Sequence, residues 1–118
     1  MNFKRFLLIA STTSLLLAGQ AYGHAMLEHS SPENNAVLNV TPKSIDLTFG
    51  HPTKLVLFKL MKGKDVVPVT VDTTAAASKT FSIPLPVLTS GQYQATWSTL
   101  SADGHPMKGV ISFTITGK

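Results

Sequence analysis

Short runs in which apolar and polar residues alternate constrain the fold of this chain more than any other feature. Residues 45–49 (Ile-Asp-Leu-Thr-Phe) alternate with period two, as expected for a strand with one buried face. After residue 23, no stretch of about ten residues has the spacing of an amphipathic helix. The other strand-like runs are residues 26–30, 54–60, 67–71, 80–85, 92–97 and 109–116. About seven short strands predict an all-β, immunoglobulin-like β-sandwich.

The beginning of the chain has the composition of a secretory signal peptide. A basic pair, Lys4 and Arg5, precedes an apolar segment at residues 6–18, and residues 21–23 (Ala-Tyr-Gly) form a small-residue cleavage site. An uncleaved membrane anchor is the alternative. A span needs about 20 apolar residues, however, and the polar residues 11–14 interrupt this segment. We therefore expect cleavage after Gly23 and export of the remaining chain.

Cleavage would divide the 118 residues into a signal peptide, 1–23, and one domain, 24–118, too short for a second core. Of the 10 Lys and Arg residues, two would leave with the signal peptide, so 8 would face 6 acidic residues. No arginine would remain to recognise phosphates or bases, so a nucleic-acid partner is not predicted.

The chain contains no cysteine. A small exported domain without disulfides must obtain its stability from packing. Thiolate ligands and a cysteine nucleophile are also excluded. Any metal site must therefore use nitrogen, oxygen or thioether ligands.

His24 would become the first residue after cleavage. A terminal histidine offers its α-amine and its ring Nδ1, which close a six-membered chelate ring on a metal ion. The pKa of an α-amine is about 7.7 to 8, so freeing it near neutral pH costs only about 1 to 1.4 kcal/mol. This terminus is therefore a candidate metal ligand.

Asp103, Gly104 and His105 form the second candidate site. On an extended segment, Asp103 and His105 would project from the same side of the backbone, with no side chain between them. The alternative is a hairpin turn over residues 102–105, in which Asp103 caps the turn and His105 points to water. Together with His24, the pair would supply three nitrogens and one oxygen. That set favours a tetragonal Cu(II) site, with Zn(II) as the nearest competitor.

Motifs along nearly the whole mature chain resemble those of the CopC-type periplasmic copper-resistance proteins. The motifs are residues 24–27 (His-Ala-Met-Leu), Ser30-Ser31-Pro32, Ala36-Val37-Leu38, Pro42, Ile45-x-Leu47-x-Phe49, Leu88-x-x-Gly91-x-Tyr93-x-Ala95-x-Trp97 and Ser101-x-Asp103-Gly104-His105-Pro106-x-x-Gly109-x-x-x-Phe113. The resemblance implies a Greek-key β-sandwich and a Cu(II) site whose ligands are His24, Asp103 and His105. It also implies a CopD-like inner-membrane protein as a possible recipient of copper.

The chain departs from that family pattern at two places. Gly50-His51 stands where relatives often carry a serine followed by an acidic residue, so His51 is either a further copper contact or an unrelated loop residue. The methionine-rich Cu(I) site of some relatives is absent: Met61 stands alone, and Met107 retains only a weak axial role. His29 is expected on the surface.

Three functions from different classes remain open. The leading one is a monomeric, non-enzymatic periplasmic protein that binds Cu(II) for sequestration, resistance or delivery. The others are a small copper-dependent oxidative enzyme with a histidine-brace site and a metal-free immunoglobulin-like interaction module. The aromatic residues Phe49, Tyr93, Trp97 and Phe113 occupy alternating strand positions and are expected in the core.

Overall fold

A computed structural model describes residues 27–117. In this range the regular structure consists of strands, and no helix is long and apolar enough to cross a membrane. The seven strands are β1 (Leu27–Ser31), β2 (Ala36–Leu38), β3 (Ser44–Lys62), β4 (Asp65–Val67), β5 (Ser78–Pro84), β6 (Gly91–Ser101) and β7 (Pro106–Ile115). The all-β prediction and the expected number of strands are confirmed.

Strand β3 connects the two halves of the sandwich. It is 19 residues long; its first half pairs antiparallel with β1 and β5, and its second half pairs antiparallel with β4 and β6. Strand β7 extends the second half beyond β6, and the short β2 runs parallel to β7 at the edge. The change from one half to the other occurs near Thr53, which pairs with both Ser78 of β5 and Ser101 of β6. The seven strands therefore form one sheet that curls over a single core.

The core consists of side chains that project inward at alternating strand positions. Its buried apolar residues are Ile45, Leu47, Phe49, Leu55, Phe58, Leu60, Ile83, Leu88, Tyr93, Ala95, Trp97, Ile111, Phe113 and Ile115. The four aromatic residues that the sequence assigns to the core are among them, so that prediction is confirmed.

Two of the aromatic residues have specific packing arrangements. The Tyr93 and Phe113 rings stack with their centroids 5.5 Å apart, while the Tyr93 hydroxyl donates a hydrogen bond of 2.6 Å to the Thr89 carbonyl. A tyrosine bonded in this way to backbone a few residues upstream is typical of immunoglobulin-like sandwiches. It satisfies the one polar atom of an otherwise apolar side chain.

Two of the strand predictions are wrong in detail. Residues 45–49 and 54–60 were expected to be separate strands, yet both belong to β3. The strand expected at residues 67–71 ends at Val67 because Pro68 cannot donate a ladder hydrogen bond. The side chains of Val69 and Val71 nevertheless pack against the core, which explains their alternation in the sequence.

Candidate metal centre

The loop between β6 and β7 carries the Asp-Gly-His motif. The Ser101 N–H donates to the His105 carbonyl at 3.0 Å, and the Gly104 N–H donates to the Ser101 carbonyl at 2.9 Å. Gly104 has a φ of 88°, in the left-handed region that glycine adopts without a steric cost. The motif is therefore a hairpin turn, and the extended backbone considered for residues 103–105 is wrong.

The turn nevertheless brings the side chains of Asp103 and His105 together. The His105 Nδ1 lies 3.2 Å from the Asp103 Oδ2, and the two side chains are 76% and 70% exposed. A turn reverses the chain direction, so residues two apart converge without sharing one face of a strand. Both groups remain open to solvent, where an ion can reach them.

Ser101 holds the Asp103 carboxylate in this arrangement. Its hydroxyl donates to the Asp103 Oδ1 and accepts a hydrogen bond from the His105 N–H at 3.1 Å. The hydrogen bond from Ser101 lowers the pKa of Asp103; desolvation opposes this effect, and the charge of His105 adds to it. Asp103 is therefore an anion across the neutral pH range. The sequence reasoning assigned Ser101 no role, although its Ser-x-Asp spacing is typical of side chains that bond within a turn.

A cavity of about 510 Å³ lies beside the loop. Its lining residues are His51, Pro52, Ser101, Ala102, Asp103, His105 and Met107. His51 comes from the middle of β3 and is exposed, and Met107 comes from the second position of β7. Both residues that the sequence left as possible additional contacts thus face the same cavity as the Asp103–His105 pair.

The described residues do not complete a metal site by themselves. Within residues 27–117, no group of three or more His, Asp or Glu side chains is arranged to hold a metal ion. His24, the other predicted ligand, lies outside the described residues, as does the predicted cleavage site. His29 is exposed on β1 and lines a separate groove with Glu28 and Glu33, in agreement with its expected surface position.

The start of β1 lies on the same part of β3 as the cavity. Leu27, the first described residue, pairs with Phe49, two positions before His51. Thr53, two positions after His51, pairs with Ser101 at the base of the Asp-Gly-His loop. The segment of β3 around His51 therefore connects the first strand with the hairpin loop.

Comparison with known proteins identifies the family of this sandwich. The family model of the CopC domain matches residues 27–116. The chain belongs to the CopC family. The resemblance inferred from the sequence motifs is confirmed.

Relatives within and around the CopC family are described as copper proteins. Copper resistance protein C of Xanthomonas campestris pv. juglandis is 33% identical, with 91% of each chain covered. Copper transport protein CutJ of Bacillus subtilis is 30% identical over 98% of this chain but only 22% of its own length. The crystal structure of PcoC from Escherichia coli, described as a methionine-rich copper resistance protein, aligns with a TM-score of 0.63 and 27% identity, covering 79% of this chain and 99% of PcoC.

These findings make the chain a copper-handling protein with the β-sandwich fold of the CopC family. The contrast with PcoC is chemical. This chain has 4 methionines in all. Among the described residues, Met107, the one for which the sequence left a weak axial role, lines the cavity beside the loop.

Proposed function

We propose that the mature protein, residues 24–118, binds Cu(II) in the periplasm through His24, Asp103 and His105. The observation that carries this proposal is the Asp103–His105 pair, held 3.2 Å apart on an exposed loop beside an open cavity. A carboxylate and an imidazole that already converge lose little conformational freedom when they bind an ion. Binding at this loop would serve copper sequestration, resistance or delivery.

The proposed contribution of His24 is consistent with the path of β1. His24 precedes Leu27 by three residues, which can span at most about 10 Å when extended. Leu27 pairs with Phe49, and His51, two residues further along β3, lines the cavity. We therefore propose that the terminal amine and imidazole reach the Asp103–His105 pair.

The donor set favours cupric copper. Two imidazoles, one amine and one carboxylate provide three nitrogens and one oxygen, a set suited to a tetragonal plane. Cu(II) also has the highest affinity of the divalent first-row metals for such ligands. His51 and Met107 line the same cavity and would be the candidates for a further, weaker contact. With four donors in the plane, no strong equatorial position remains for dioxygen, so we assign the protein a binding role and no catalytic one.

Delivery to a membrane protein is the second part of the proposal. The relative described as a copper transport protein aligns with this chain over only 22% of its own length. In that relative, a domain similar to this chain is therefore joined covalently to a much larger remainder. We propose that the present chain, as a separate monomer, passes copper to a CopD-like inner-membrane partner.

Electron paramagnetic resonance of the processed protein with one equivalent of Cu(II) tests the copper site. The expected spectrum is axial, with hyperfine splitting from three nitrogens. His105→Ala should remove one nitrogen, while His29→Ala, a histidine of the separate β1 groove, should leave the spectrum unchanged. An additional residue before His24 should remove the amine chelate.

Circular dichroism of each variant establishes that the sandwich is intact. A folded protein whose spectrum is insensitive to both His105→Ala and the additional terminal residue would disprove the proposed ligands.

A further inference from the structure

The outer surface of strands β3, β6 and β7 carries apolar and lysine side chains together with two small hydroxyl residues. In an antiparallel sheet, cross-strand partners project from the same side. Successive outward rows across β3, β6 and β7 are Lys54–Leu100–Pro106, Leu57–Ser98–Lys108 and Lys59–Thr96–Val110. We refer to these nine residues as the outer face.

Its apolar side chains are unusually exposed for strand residues. Leu57 is 52% exposed, and Leu100 and Val110 are each 38% exposed. Val56 adds to them at the bulge between Leu55 and Leu57. An open groove of about 420 Å³ runs over the centre of the face between Leu57 and Val110. Single exposed apolar residues are ordinary, but several on one sheet surface, lining one groove, are typical of an interaction site.

The charge on the outer face has one sign. Lys54, Lys59 and Lys108 belong to it, and none of its nine residues is acidic. In the range 27–117 the one ion pair joins His105 to Asp103, so none of these three lysines is neutralised by a described carboxylate. The face therefore combines exposed apolar side chains with free positive charge.

We propose that the outer face docks a protein surface whose apolar side chains are surrounded by carboxylates. Such a partner would cover Leu57, Leu100 and Val110 while its acidic groups pair with the three lysines. Opposite charges across an interface steer encounter and fix its register. The exposed apolar side chains, once covered, supply the greater part of the affinity.

A second copy of this chain fits the outer face poorly. A twofold dimer uses the same patch on both subunits, so lysines would oppose lysines with no acidic residue to relieve the repulsion. An anionic bilayer also fits less well. The face has no aromatic residue to enter the interface, and three lysines contribute only about 1 kcal/mol each near such a surface.

The outer face lies next to the loop that carries the candidate copper ligands Asp103 and His105. Leu100 and Pro106 belong to its first row, with Lys54, and directly flank residues 101–105. A partner bound there would lie against the Asp103–His105 pair. This consequence for copper transfer rests on the proposed function, whereas the docking itself does not.

Carbodiimide coupling tests the proposal, because it joins a lysine amine to a carboxylate in direct contact. The processed protein would be treated in envelope preparations from cells that produce it, and the isopeptide bonds would be located by mass spectrometry. We expect links from Lys54, Lys59 and Lys108 to Asp or Glu of another protein. Their yield should exceed that of the exposed lysines away from the face, Lys43, Lys64 and Lys79, at least fivefold.

Charge reversal provides the matched comparison. The double variant Lys59→Glu/Lys108→Glu should reduce the yield at the remaining Lys54 at least tenfold, while Lys43→Glu/Lys79→Glu should leave it unchanged. Lys59→Glu/Lys108→Glu should still give the wild-type Cu(II) resonance spectrum. Loss of docking can therefore be distinguished from loss of copper binding. Leu57→Ser should lower the yield without altering any charge.

Three results would overturn the proposal. One is equal coupling at all six lysines. Another is a concentration-dependent dimer in sedimentation analysis that Lys59→Glu/Lys108→Glu abolishes, which would assign the face to a second copy. The third is co-sedimentation with phosphatidylglycerol vesicles that the same variant abolishes, which would assign it to a membrane surface.

Discussion

Ser101 determines the state of the Asp103 carboxylate. Its hydroxyl bonds the Oδ1 of Asp103, and this bond is the main reason that the pKa of Asp103 lies below its ordinary value of 3.8. A carboxyl group whose pKa is lower in the folded than in the unfolded state stabilises the fold at pH values above its unfolded-state pKa. That stabilisation is lost as the pH falls through its folded-state pKa. Ser101→Ala should therefore raise the pKa of Asp103 toward 3.8, as measured from side-chain carboxyl shifts in an NMR titration.

Ser98→Ala is the control for that titration. Ser98 lies on the same strand and its side chain is on the outer face, away from the Asp103 carboxylate. It should leave the Asp103 titration unchanged. If Ser101→Ala also leaves it unchanged, another group is responsible for the lowered pKa.

The buried indole of Trp97 leaves no room for a side chain at Gly109. The two residues are cross-strand partners, and a Cβ added at Gly109 would come within 2.5 to 2.7 Å of three ring atoms of Trp97. Trp97 is only 3% exposed and cannot swing into solvent. Gly109→Ala should therefore lower the free energy of unfolding by about 1 to 3 kcal/mol, as overpacked cores do. Chemical denaturation monitored by tryptophan fluorescence measures the change.

Gly50→Ala provides the comparison for Gly109→Ala. Its nearest neighbour would be the flexible end of the Glu28 side chain at 3.1 Å, which can move aside. A change below about 0.5 kcal/mol is expected, as for other substitutions away from the core. Equal losses for both variants would show that the Trp97 contact is not the cause.

At the scale of elements, Thr53 joins β3 to β6 at the place where β3 passes from one half of the sandwich to the other. Its buried hydroxyl donates a 3.0 Å hydrogen bond to the Leu100 carbonyl at the end of β6. Thr99 is equally buried, but its hydroxyl has no hydrogen-bond partner among residues 27–117. Thr53→Val should cost about 1 kcal/mol, because it removes a made hydrogen bond. Thr99→Val should be neutral or stabilising, because it removes an unsatisfied polar atom.

Thermal unfolding of the two valine variants, with identical changes in volume, gives the difference directly. Equal destabilisation by both would mean that the Thr53 hydrogen bond adds nothing to the connection between β3 and β6. Greater destabilisation by Thr99→Val would show that its hydroxyl is bonded in solution.

Period-two alternation located the long strands because each has one face on the core. It could not show that residues 45–49 and 54–60 form one strand. Gly50 and Pro52 separate them, and both residues usually interrupt a ladder. In the fold Pro52 lies within the register shift between Thr48 and Thr53, where no ladder hydrogen bond is required of it. Strand β2 has only three residues, and its parallel pairing with β7 leaves no local signal.

The proximity of Asp103 and His105 was easier to predict than the backbone that produces it. The residue types and spacing of Asp103 and His105 indicated a ligand pair, and the structure places them together, although in a turn. Whether His51 and Met107 face the pair depends on how the middle of β3 lies against the β6–β7 hairpin. Such a long-range contact cannot be predicted from the local sequence. The role of Ser101 depends on the turn geometry, which the spacing alone did not specify.

At the scale of the whole molecule, proposed copper binding would join the two ends of the domain. With the proposed cleavage His24 would be the first residue, and Asp103 and His105 lie in the last hairpin, so one ion would tie them across β3. A ligand bound only by the folded state stabilises it by about 2.7 kcal/mol at 100 times its Kd. For a domain of this size, each 1 kcal/mol raises the Tm by about 4 to 8 °C.

The processed protein with excess Cu(II) should therefore melt about 10 to 20 °C higher than the copper-free protein in scanning calorimetry. His29→Ala should show the same rise, because its side chain lies in the separate β1 groove. A chain with one additional residue before His24 should show a much smaller rise, since the amine chelate is lost while the Asp103–His105 pair remains. Equal rises with and without that residue would mean that the ends are not tied through His24, and the sandwich would then bind copper at the hairpin alone.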